Sequence, residues 1–209
     1  MVNREKISLL NHPMRSGAMK ATHARHDVRR RLRAQTRAEH DAVDAAFAVS
    51  PHWDDTAYRT FLRKHARIVL PAEAYLARHP DFADIPNASA RLRAEGLAAD
   101  LADLRSGVPQ PMRLQLPEGR GGLLGVAYVM EGSRLGGRLI ARQLAAASPH
   151  LPFRFLDHGD ALADWASFLA WIDAGEWSDE EVDTAIDAAR DIFSIYAHLG
   201  GAEEKAGAA

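Results

Sequence analysis

The chain has 209 residues, enough for one domain with a sizeable core. Hydrophobic residues make up 47% and charged residues 26%, which excludes a disordered chain. The absence of cysteine excludes disulfides, thiolate metal centres and iron–sulfur clusters. The net charge of -2 hides an asymmetry. Residues 1–33 hold nine Lys and Arg against Glu5 and Asp27, so this segment carries +7 and the remainder -9.

No apolar run approaches the roughly 20 residues of a membrane span. The N-terminus also lacks the apolar stretch of a secretion signal. The expected place is the cytoplasm, with no membrane association. We read residues 1–26 as a basic, flexible N-terminal arm, and we do not expect it to bind nucleic acid. No aromatic side chain lies among its cations to stack on bases. His23 and His26 have metal-compatible spacing but no further ligands nearby.

In chain order, most segments repeat apolar residues every three or four positions. A first helix is expected from Asp27 to Ala48, with Val28, Leu32, Thr36, His40, Val43 and Phe47 on one face. Ser50-Pro51 should break it. A second starts near Asp54 or Asp55 as cap and runs to about Tyr75, with a kink or break at Pro71. A third spans Ala90 to Leu104, followed by a long Pro- and Gly-rich loop. A fourth runs from about Gly122 to Ala147, and a fifth from Ala161 to Ala174. Ser178 and Glu181 form a capping box that opens a last helix ending at Gly200-Gly201. His150 and His158 flank a loop, and His65 sits on a helix face as core or pocket wall. The expected architecture is one all-α domain over residues 27–200, with a tail from 201 to 209.

The fourth helix, "YVMEGSRLGGRLIARQL", poses the main question. It carries Gly132, Gly136 and Gly137 in its interior, each costing about 1 kcal/mol relative to alanine. Gly132 and Gly136 are stacked at i, i+4 and leave bare backbone on one face. Either another helix crosses closely there, or a flat ligand approaches nearer than any Cβ permits. A phosphate loop is a poor third option, since "GSRLGG" has no Gly-Lys-Ser/Thr and follows no strand.

The first helix, "LRAQTRAEHDAVDAAF", places His40 on its apolar face with Arg33 and Arg37 before it and Asp44 one turn after. Alone, such a histidine is more often a core residue. Joined to two cations, it also suits axial ligation of haem iron, with the cations meeting anionic groups at a ligand edge.

Together these helices resemble a known family. "LRAQTRAEH" is similar to the Leu-(Arg/Lys)-x-x-Thr-x-x-x-His motif on the proximal helix of haem oxygenases. "YVMEGSRLGG" is similar to their distal-helix motif, nearest to bacterial members associated with phytochromes. The resemblance covers residues 28 to 200. It implies a single-domain multi-helix bundle that sandwiches haem between a proximal helix and a kinked distal helix. It further implies opening of the porphyrin ring to biliverdin, carbon monoxide and ferrous iron. Haem is then both substrate and cofactor, dioxygen the oxidant, and a ferredoxin or reductase the electron source. The product would supply a phytochrome.

By the same resemblance, His40 is the axial iron ligand, and Gly132 and Gly136 meet haem and dioxygen. Gly137 supports the bend. Asp44 holds the histidine or its water. Arg33, Arg37 and Arg190 meet propionates, and Phe193 lines the pocket. The sequence departs from the animal-type pattern at Ser133, where an aspartate organises the water network. A serine is a weaker organiser, so Arg134 or Arg138 enters as a substitute. The departure also leaves a second reading, a non-catalytic haem carrier or sensor of the same fold.

Overall fold

The computed structural model describes residues 27–47 and 54–201, all of them helix, turn or loop. The basic arm at 1–26, the Ser50-Pro51 break and the tail from 202 lie outside the described residues.

Residues 27–35 form α1 and Arg37–Ala46 form α2. The expected single helix is thus broken at Thr36, where φ is -108° and ψ 5°. The Thr36 hydroxyl donates to Leu32 O at 2.8 Å. This local bond competes with continuation of the helix, as threonine side chains do.

α3 spans Asp55–Arg78, capped by Asp54, whose carboxylate accepts from Ala57 N. Pro71 lies inside it, and the helix runs on through it. Proline has no N–H for the carbonyl four residues back. That carbonyl, Arg67 O, instead accepts the N–H of Met112 at 2.8 Å. The missing donor of Pro71 thereby ties the Pro-rich loop to α3.

The expected Ala90–Leu104 helix divides into a 3-10 turn, Ala88–Arg91, and α4, Ala94–Asp103. The cause is tertiary. Glu73 of α3 accepts from the backbone N–H of both Arg93 and Ala94 at 2.8 Å, and so caps α4 from another helix. α5 spans Gly119–Ala147, α6 Ala161–Ala174 and α7 Asp179–Gly201. The capping box forms as expected: Glu181 N donates to Ser178 Oγ at 3.1 Å, and Ser178 N to Glu181 Oε2 at 2.8 Å.

α7 is the spine. α5 makes its most extensive pairing with α7, and α2 lies along α7 beside it. The main core joins α5, α6 and α7 with Val28 and Leu32 of α1. A second cluster joins α3, α4 and the 148–156 loop. No helix among the described residues is long and apolar enough to cross a membrane.

His65 of α3 is ringed by Phe47, Phe61, Phe155 and Tyr196 at centroid distances of 4.8, 4.0, 5.8 and 5.5 Å. This apolar cage, aided by nearby cations, brings its pKa down to about 4, although the bond of Nδ1 to Phe61 O acts the other way. The unfolded chain binds this proton near pH 6.5, so folding is favoured above that pH and the advantage is lost as pH falls towards 4. Stability measured by urea unfolding should fall from pH 6.5 to pH 4.5, and His65→Leu should flatten that slope. An equally steep slope in the variant would refute the assignment.

Candidate functional site

The glycines of α5 serve two different purposes. A Cβ on Gly125 would lie 2.2 Å from Ala185 O, and one on Gly121 2.6 Å from Glu181 O. These two let α5 lie against the backbone of α7. One on Gly122 would lie 2.1 Å from Pro117 O. A Cβ on Gly132 or Gly136 would meet nothing within 4 Å among the described residues. Their bare backbone faces open space, which is what close approach by a ligand requires. Gly137 faces neither opening. It is buried, with the backbone of Leu156 at 3.5 Å from a Cβ placed there.

The back of α5 is held by charge. Arg134 is 2% exposed and donates to Asp164 Oδ2 at 2.6 Å, His158 O at 3.1 Å and Arg91 O at 3.3 Å. Arg91 pairs with Glu131 and donates to Ser167 Oγ at 2.8 Å. Buried charges persist when paired and hydrogen-bonded like this. Arg134 therefore points away from the open side, and Arg138 lies 3.3 Å from Asp160.

Ser133 sits at the edge of the open face. Its Oγ donates to Met130 O at 2.7 Å and accepts from Arg93 at 2.9 Å. Arg93 is buried, faces Glu73 at 3.7 Å and lies 4.8 Å over the Phe155 ring. Its Nε and the nearby Tyr196 hydroxyl are buried without a hydrogen-bond partner among the described residues. Burial raises the Glu73 pKa, while the Arg93 charge opposes that rise. Arg93 and Glu73 were not legible as site residues, because they meet across 20 positions of chain and neither belongs to a local motif.

α2 presents His40. Its side chain is 56% exposed, its Nδ1 lies 3.3 Å from Asp44 Oδ2, and its ring stands edge-on to Phe193 at 5.6 Å. With Nδ1–H donated to the carboxylate, Nε2 carries the lone pair that ligates a metal. The Tyr128 hydroxyl of α5 lies near the Thr36 side chain and the Arg33 charge. His40 lies one turn beyond Thr36 along α2, and Gly132 one turn beyond Tyr128 along α5.

The remaining expected residues are placed as follows. Arg37 lies 3.8 Å from Asp41 and is exposed. Arg190 donates to Gln35 O at 2.8 Å and lies 3.3 Å from Glu39, tying α7 to the start of α2. Arg33 is exposed.

Residues 112–200 match the model of the heme oxygenase family. Over 124 residues the chain is 35% identical to heme oxygenase PigA of Pseudomonas aeruginosa, covering 54% of this chain and 61% of that protein. A solved structure of the NO- and CO-bound heme oxygenase from Neisseria meningitidis superimposes with a TM-score of 0.68. It covers 83% of this chain and 89% of the other at 24% identity, a likeness of fold.

The two classes of glycine should separate in thermal unfolding. Gly125→Ala should lower Tm by about 2–12 °C, from ~1–3 kcal/mol of overpacking at ~2–4 °C per kcal/mol. Gly132→Ala should raise Tm of the ligand-free protein by about 2–4 °C, since it gains about 1 kcal/mol of helix propensity and meets no neighbour. A lower Tm for Gly132→Ala would show that this face is packed.

Proposed function

We propose that this chain is a haem oxygenase that binds haem between α2 and α5 and opens its ring to biliverdin, carbon monoxide and ferrous iron; the match of residues 112–200 to the family model supports this reading. The observation that carries this reading is the open space over Gly132 and Gly136, where a Cβ would meet no described residue. A flat group fits there because the two missing side chains leave room for it. Haem, when bound, is the substrate and also supplies the iron chemistry that activates dioxygen.

The protein's part is binding, orientation and proton placement. His40 would ligate iron through Nε2, with Asp44 fixing the ring through Nδ1. Gly132 and Gly136 would leave space above the ring for dioxygen. Arg33 and Tyr128 suit the carboxylates of the haem edge. Arg37, more exposed, is a second cation for the same purpose. Arg190 is committed to Gln35 and Glu39, and it supports α2 rather than reaching for the ligand.

Ser133 is held in place by Arg93. Its proton goes to Met130 O and one lone pair to the guanidinium, so its Oγ can still accept from a water in the opening. This makes Ser133 an oriented acceptor, with a fixed positive charge behind it, where animal-type relatives have an aspartate. Electrons would come from a ferredoxin or reductase. We place the protein in the cytoplasm, where such donors reside, and a phytochrome would be the receiver of biliverdin.

Hemin titration should give a Soret band, and ascorbate in air should replace it with biliverdin absorption. His40→Ala should shift or abolish the band. A band that forms and then persists under reducing aerobic conditions would favour a haem carrier or sensor. No band at all would remove both readings. In a protein that turns over, Arg93→Leu should slow biliverdin formation tenfold or more while leaving the Soret position unchanged. Unchanged turnover in that variant would remove Arg93 from the account.

A further inference from the structure

Leu139 is 59% exposed, an unusual position for a leucine in the middle of a long helix. At 100° per residue, Leu139 lies 20° from Gly132 and 60° from Gly136 around the α5 axis. It therefore shares the bare face. The opposite face of this stretch is fixed by buried Met130, Arg134, Gly137, Ala141 and Leu144. The rotation of the helix is thus determined, and Leu139 does not turn inward.

Along the same face the chemistry changes from end to end. Tyr128 stands at one end, near Thr36 and the Arg33 charge. The two glycines occupy the middle, without a side chain. Leu139 stands at the outer end, about 10 Å beyond Gly132 at 1.5 Å per residue. One end offers a hydroxyl and a cation, the other an aliphatic surface.

We propose that Leu139 is a specificity-determining residue that receives the apolar edge of the macrocycle and so fixes its rotation in the plane. This rests on the haem-binding reading above. An amphipathic flat ligand has its carboxylates on one edge and its methyl and vinyl groups on the others. With carboxylates drawn to Arg33 and Tyr128, an apolar edge comes to rest on Leu139, and the exposed leucine is covered. Rotation in the plane decides which bridging carbon lies beneath the open glycine face. Leu139 thereby selects the isomer of the product without touching the reacting atoms.

The test compares the full chain with Leu139→Asn and Leu139→Met. Hemin affinity is measured by Soret titration, and ring orientation by proton NMR of the cyanide-ligated ferric complex. The Asn variant should bind hemin about tenfold more weakly and show a second set of haem methyl resonances. The Met variant should restore both the affinity and the single set. All three should melt within about 2 °C of one another without hemin, because Leu139 is exposed. If the Asn variant binds as tightly and with one orientation, the proposal is overturned and the haem-binding reading stands. If the unaltered chain gives no Soret band, both fall together.

Discussion

The arrangement depends on one contact between bare backbones, α5 against α7 at Gly121 and Gly125. Without side chains at these two positions, the first turns of α5 lie on the carbonyls of Glu181 and Ala185. That closeness sets the direction of a 29-residue helix. α2 rests on the same α7, so both walls of the opening are referred to one support. Tyr128 of α5 lies near Thr36 at the start of α2, and Gly132 and His40 each stand one turn further along their helix.

Charge fixes what the contact begins. Arg91, Glu131, Arg134 and Asp164 hold the back of α5, and Arg93 with Glu73 holds its edge at Ser133. Such groups are costly to bury singly and are stable only as connected sets. The consequence is directional: α5 is anchored behind and beside the glycines, and the glycine face itself carries no load. A ligand can then meet backbone held in place beforehand, with little ordering left to do on binding.

Much of this was legible in the sequence. The spacing of apolar residues gave the long helices, and the Ser178–Glu181 box and Asp54 gave two starts that the structure reproduces. The glycine pattern and His40 pointed to the two helices at the opening before any geometry was available. Three features misled local reasoning. Thr36 breaks the first helix because its hydroxyl returns to Leu32 O. Pro71 leaves α3 continuous because Met112 takes up the freed carbonyl. The helix expected from Ala90 starts at Ala94 because Glu73 caps it from α3. The last two depend on partners 41 to 45 and 20 to 21 positions away, respectively, which no local pattern encodes.

The sequence by itself determined the all-α class, the position of each main helix and which residues carry reactive or missing side chains. These follow from periodicity, capping and composition, all short-range properties of the chain. Only the tertiary structure decided which glycines pack and which stay open. Gly125 and Gly132 are seven residues apart and occupy nearly the same face of one helix, yet the first meets Ala185 and the second meets none of the described residues. The difference lies in how far α7 follows α5, and it is a property of two helices together. The same holds for Ser133, whose orientation comes from Arg93, a buried cation 40 residues earlier.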